Sequence, residues 1–153
     1  MSTTSVHATI VGEHGDTEFP LWTSASIGGV PLLEWRGSRS AGPLSPEVRE
    51  SMTREVIDSA YRIIEGKGAT NYAVALAGSR IIEAVLKDER RVLPVSSLLD
   101  GYHGISDICL SVPTVVGRGG AERRLEVPMS DDELASLRRS ADALRAVAHR
   151  FGL

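Results

Sequence analysis

The stretch Val11-Gly12-Glu13-His14-Gly15-Asp16-Thr17-Glu18-Phe19-Pro20 decides how the rest of the chain is read. It follows an apolar run, Val6-His7-Ala8-Thr9-Ile10-Val11, with the character of a buried strand. It then breaks at glycines on either side of Glu13-His14. A backbone turn at a strand end can project such a histidine into a cleft. Histidine changes charge near neutral pH and is the commonest general acid or base. His14 is therefore the candidate catalytic residue, with Asp16 as a candidate supporting carboxylate. The plainer alternative is a turn histidine whose ring only satisfies backbone groups.

Working outward, Leu21 to Ile27 alternates apolar and small polar residues and predicts a strand ended by Gly28-Gly29. A loop rich in Gly, Ser and Pro leads to Ser45-Pro46, a serine N-cap followed by proline at the first helical position. Val48, Met52, Val56, Ala60 and Ile63 form one apolar stripe on that helix. Gly66-Lys67-Gly68 stops it.

Thr70 or Asn71 caps a second helix running to about Lys87. Its middle, Ala73-Val74-Ala75-Leu76-Ala77-Gly78, is apolar almost all round, which predicts burial centrally or against a partner. Arg90 to Leu99 reads as an edge or interrupted strand because of Pro94. Asp107 to Val116 is the best strand, with Ile108, Leu110 and Val112 on one face and Cys109 and Ser111 on the other. Cys109 is expected to be a small core hydrophobe. Gly117-Arg118-Gly119-Gly120 turns that strand into a partner over Ala121 to Val127. Ser130 and Glu133 form a capping box before a last helix with Leu134, Leu137, Ala141, Leu144 and Ala148 on one face. Grouped hairpin-like strands and three helices predict an α+β fold rather than a doubly wound sheet. One domain is expected to cover residues 1–153.

Composition excludes several classes. A net charge of −3 argues against a nucleic-acid surface. No apolar run approaches the length of a membrane span, and no secretory signal is visible. The single cysteine fits a reducing cytoplasm. No paired-His or Cys-x-x-Cys spacing suggests a metal. No Gly-x-Gly-x-x-Gly follows a strand and opens a helix, so the dinucleotide fingerprint is absent.

Several separated segments also carry a family resemblance. They are Ser5-Val6-His7-Ala8 leading to Gly12-Glu13-His14-Gly15-Asp16, Lys67-Gly68-Ala69-Thr70, Val95-Ser96-Ser97-Leu98-Leu99-Asp100-Gly101, Tyr102-His103-Gly104-Ile105-Ser106-Asp107, Leu110-Ser111-Val112-Pro113 and Ser140-Ala141-Asp142-Ala143-Leu144. In this order they resemble the C-terminal, substrate-binding half of bacterial L-lactate dehydrogenases, in the lactate/malate dehydrogenase family. The resemblance implies NAD-dependent interconversion of a small 2-hydroxy acid and its 2-oxo acid. It implies His14 as proton donor and acceptor, Thr70 in the substrate pocket and Val74 beside the nicotinamide ring. It implies His7 in a fructose 1,6-bisphosphate site shared across a subunit interface, and, since the family assembles as dimers or tetramers, a homo-oligomer. The family's nucleotide-binding half, the aspartate that pairs with its histidine and its substrate-clamping arginine have no counterpart in this sequence.

Plainer roles stand beside these: Thr70 as a helix cap, His7 as a half-exposed strand residue. Three functions are weighed. The first is the substrate-side half of a lactate dehydrogenase, inert without its nucleotide half. The second is a stand-alone, cofactor-free acid/base enzyme (isomerase, cyclase or lyase) using His14. The third is a non-enzymatic oligomerising module, suggested by the apolar helix after Thr70.

Overall fold

The computed structural model describes residues 2–36 and 44–152. The loop expected before Ser45 falls largely on residues 37–43, outside the described residues. The architecture is α+β, as predicted: three α-helices with antiparallel sheets. The first half of the chain supplies five two-residue strands: β1 (Val6–His7), β2 (Ile10–Val11), β3 (Phe19–Pro20), β4 (Ser26–Ile27) and β5 (Val30–Pro31). Two long helices follow, α1 (Pro46–Lys67) and α2 (Asn71–Leu86). A three-stranded meander, β6 (Arg91–Leu99), β7 (Ile108–Gly117) and β8 (Gly120–Arg124), leads to α3 (Asp131–Arg150).

The run Val6–Val11 is two strands rather than one. β1 pairs with β4, whereas β2 pairs with β3, so Ala8-Thr9 carries the chain from one sheet to another. Only Val11 of that run is buried; Val6 and His7 are exposed. The strand expected over Leu21–Ile27 shrinks to Ser26–Ile27. The turn before it is pinned instead, because Thr23 N–H donates to the Glu133 carboxylate at 3.0 Å.

β6 is a continuous edge strand, and Pro94 does not interrupt it. The reason lies in the register, which sets Pro94 opposite Pro113. The Pro113 carbonyl accepts Leu125 N–H on the β8 side. The proline pair is therefore a non-hydrogen-bonded one, and the N–H that Pro94 lacks belongs to the open edge. β7 alternates as expected, with Leu110 and Val112 fully buried. Cys109 is exposed, contrary to the core role expected of it. It pairs with Leu98 on the opposite face, where Leu98 is itself exposed. β8 ends at Arg124, short of the Val127 expected.

The core joins Val11, Phe19 and Leu21 from the first sheets to Leu110 and Val112 of β7 and Leu137 and Ala141 of α3. α3 starts at a capping box in which Ser130 and Glu133 each satisfy the other's backbone N–H. α1 starts as expected at Ser45 and ends at a left-handed Gly68. Its apolar stripe meets no surface, for no described residue of α1 is buried. In α2 only Ala84 is buried, while Leu86 is 74% and Leu76 67% exposed. Among the described residues the core is thus built from β2, β3 and the turn after them, the meander with its β6–β7 turn, and α3.

That distribution ranks two substitutions. Leu137→Ala removes a fully buried side chain and should cost about 3 kcal/mol in urea unfolding. Ser130→Ala should cost about 1 kcal/mol through the lost cap.

Candidate active site

The His14 segment is built from both sides. Gly12 forms an antiparallel bridge with Ser111 of β7, its N–H reaching the Ser111 carbonyl at 2.8 Å and its carbonyl accepting Ser111 N–H at 2.9 Å. Gly12 has φ +99°, and a Cβ there would stand 2.7 Å from Ser140 Oγ. Both facts demand glycine. Beyond it, Glu13 N–H donates to Ser140 Oγ at 2.5 Å, and Thr17 Oγ1–H donates to the Glu13 carboxylate. Glu18 N–H closes a turn on the Gly15 carbonyl at 3.2 Å.

The His14 side chain stands 98% exposed at the top of this turn, with its Nδ1 3.6 Å from a carboxylate oxygen of Glu18. That separation is an ion-pair distance for a protonated ring rather than a hydrogen bond. Glu18 is better sheltered, its side chain 17% exposed. Together with Glu13, the two residues edge a cleft of about 720 Å³. Its walls are apolar: Ile81 and Val85 of α2, Val95 of β6 and Val116 of β7 among them. A base and its neighbouring carboxylate at the mouth of an apolar cleft can exchange a proton with a small bound molecule, shielded from bulk water on the apolar side.

Asp16 takes another position. Its carboxylate accepts the Tyr61 phenol at 2.8 Å, tying the turn to α1. That hydrogen bond holds Tyr61 above the usual phenol value of 10, since the ionised phenol could no longer donate to Asp16. The carboxylate beside the histidine ring is that of Glu18. Thr70 stands at the N-cap of α2 without a side-chain bond to the helix. It lines a separate pocket of about 470 Å³ with Ile63, Lys67 and Tyr72. Val74 is 62% exposed on α2 and lines neither pocket. His7 is exposed on β1, opposite Ser26. His14, Thr70 and Val74 are thus not assembled into one cavity within the described residues.

Sequence reading passed over Glu18, Thr17 and Ser140 as site residues. The signal for Glu18 was its place four residues after His14. Ser140 stood beside the apolar face of α3, a small polar residue next to Leu137 and Ala141, and only the fold shows what it faces. Among the described residues no group of three or more His, Cys, Asp or Glu side chains is placed to hold a metal. No helix among them is long and apolar enough to cross a membrane.

The comparisons with known proteins agree on kinship. The model of the lactate/malate dehydrogenase α/β C-terminal domain matches residues 1–150. The chain belongs to that family. It is 57% identical over 148 residues to the L-lactate dehydrogenase of Bifidobacterium animalis subsp. lactis, covering 97% of this chain and 46% of that protein. With the L-lactate dehydrogenase of Lacticaseibacillus casei it shares 46% identity over 147 residues, 94% of this chain and 43% of the relative. The solved minor L-lactate dehydrogenase of Enterococcus mundtii superposes with a TM-score of 0.89 at 34% identity, over 96% of this chain and 46% of that one. The malate dehydrogenase of Aeropyrum pernix gives 0.86 at 32% identity, over 98% and 48%. The chain therefore spans about half the length of the dehydrogenases it matches.

The Asp16–Tyr61 link is directly testable. In ¹³Cζ-tyrosine NMR, Tyr61 should titrate above 10 in the wild type. Asp16→Asn should bring it back toward 10.

Proposed function

We propose that this chain is the substrate-side, acid/base half of an L-lactate dehydrogenase, with His14 passing a proton to and from the substrate oxygen. The observation that supports the reading most is the placement of His14 at a cleft mouth in a chain 57% identical to an L-lactate dehydrogenase. The substrate is a small 2-hydroxy or 2-oxo acid. Its redox partner is NAD, and the domain extends over residues 1–153 of a cytoplasmic homo-oligomer.

The glycine-rich turn after β7 does not suit the pyrophosphate of NAD. The glycine-rich turn Gly117-Arg118-Gly119-Gly120 offers backbone N–H groups, but carboxylates hold two of them. Arg118 N–H donates to Asp88 at 2.8 Å and Gly119 N–H to Glu122 at 3.2 Å. A pyrophosphate needs such donors free, at a helix N-terminus. On this reading the nucleotide-binding half comes from another stretch of polypeptide. What this chain contributes is the proton. The Glu18 carboxylate lies 3.6 Å from the ring, and the wall of the cleft beside it is apolar. His7 would serve one side of a fructose 1,6-bisphosphate site, exposed on β1 where a second subunit can supply further charge. Thr70 and Val74, on the opposite end of α2 from Ile81 and Val85, would approach substrate and nicotinamide from the side the other half completes.

A second reading rests on the same pair. His14 and Glu18 beside a cleft already make an acid/base site, so a cofactor-free isomerase, cyclase or lyase is the alternative. The unburied faces of α1 and α2 favour self-association in either case, or in a purely oligomerising module.

The deciding experiment is a titration of the purified chain with NADH, followed by assay after adding a separately produced nucleotide-binding half of the Bifidobacterium relative. No NADH should bind to the chain alone. Lactate–pyruvate turnover should appear on mixing and fall about 10²–10⁴-fold in His14→Ala. Absence of turnover from a stable mixed complex would refute the dehydrogenase reading. Turnover of another substrate by the chain alone, abolished in His14→Ala, would establish the alternative.

A further inference from the structure

We propose that the hydroxyls of Ser140 and Thr17 are positioning groups for His14, joined in a closed ring of hydrogen bonds that fixes the backbone turn from which the imidazole projects. The inference rests on the assignment of His14 as the proton-transfer residue.

Ser140 lies in the middle of α3 and is fully buried. A serine in a helix commonly returns its hydroxyl to the carbonyl one turn back. Ser136 on the same helix does so, donating to the Asp132 carbonyl at 2.8 Å. The partners of Ser140 are instead on the His14 turn: Glu13 N–H at 2.5 Å and Thr17 Oγ1 at 3.0 Å. These residues are 127 and 123 positions away in sequence, so no local helix rule accounts for the choice.

Proton counting fixes the direction of every bond. A hydroxyl has one proton to give. That of Thr17 goes to the Glu13 carboxylate. The contact between the two hydroxyls must then use the Ser140 proton, with Thr17 Oγ1 accepting. The chain runs from Glu13 N–H to Ser140, from Ser140 to Thr17, and from Thr17 back to the Glu13 carboxylate. It starts and ends on the residue next to His14. Each member polarises the next, so the ring holds its geometry as a unit. Gly12, whose missing Cβ would meet Ser140 Oγ at 2.7 Å, lets the strand end close onto the hydroxyl.

His14 depends on such a frame because its ring makes no hydrogen bond to the described residues. Its side chain is 98% exposed, and among the described residues its ion-pair partner is Glu18 at 3.6 Å. The direction of the ring is inherited from the backbone of residues 13 to 17. Ser140 and Thr17 touch no reacting atom in this scheme; they act through that backbone.

The test uses isotope-labelled whole chain as wild type, Ser140→Ala, Thr17→Val and Thr17→Ser. Thr17→Val keeps the shape of the side chain at a half-buried site and deletes only the hydroxyl. It keeps the proposal testable if Ser140→Ala fails to fold. In Thr17→Val and Ser140→Ala, exchange of the Glu13 amide should rise about tenfold, the equivalent of one ordinary hydrogen bond. The His14 Cε1–H signal should lose its contacts to Glu18 while the Leu110 and Val112 methyl signals stay in place. Thr17→Ser should match the wild type. A lower melting temperature with unchanged His14 and Glu13 signals would overturn the proposal and leave both hydroxyls as stabilising groups only. In the reconstituted dehydrogenase, Thr17→Val should lower kcat with KM unchanged. If reconstitution yields no turnover but the NMR result holds, the positioning ring stands and the dehydrogenase reading falls.

Discussion

The packing of α3 onto β7 is the contact on which the rest of this chain depends. Leu137 and Ala141 close over Leu110 and Val112, and Val11 and Leu21 complete the same core. The two-residue strands of the first half could not persist in isolation, since a lone short hairpin is marginal in water. They are held by what they attach to: the Gly12–Ser111 bridge to β7 and the Thr23–Glu133 bond to the start of α3. The turn bearing His14 is thus a derivative of the C-terminal half of the chain, although it lies near the N-terminus in sequence.

This arrangement separates a well-packed part from an open one. The meander, α3, β2 and β3 share a core. α1 and most of α2 bury almost nothing against it. Exposed apolar area on that scale is unusual for a monomer and fits a protein that completes itself by contact with further polypeptide. The cleft beside His14 belongs to both parts, with Ile81 and Val85 from the open helix facing β6 and β7. Whatever settles α2 also settles one wall of the site.

Much of the fold was legible wherever a local rule governs the outcome. Ser45-Pro46, Gly68, the Ser130–Glu133 box and the Gly117–Gly120 turn all act within a few residues, and each marks the boundary it should. The readings that missed depended on distant partners. Val6–Val11 has the composition of one strand, but its halves find different mates. Cys109 has the chemistry of a core residue, but register sets it opposite Leu98 on the open face. The stripe on α1 is correctly periodic, and periodicity cannot say whether the opposing surface is present. At the site, His14 announced itself through its flanking glycines. Glu18 and Ser140 did not, because their contacts with that segment arise from a turn and a helix meeting in space.

One feature of the meander bears on how the molecule behaves in a crowd. The free side of β6 is a row of backbone groups of the kind that recruits strands from other molecules. Pro94 sits near its centre and is paired back to back with Pro113. An incoming strand would find its hydrogen-bond ladder missing a rung halfway along, and continuous stacking of such sheets into cross-β fibres needs every rung. A chain that leaves much of two helices uncovered therefore carries, on the free edge of β6, a built-in stop against the form of aggregation that propagates through backbone pairing.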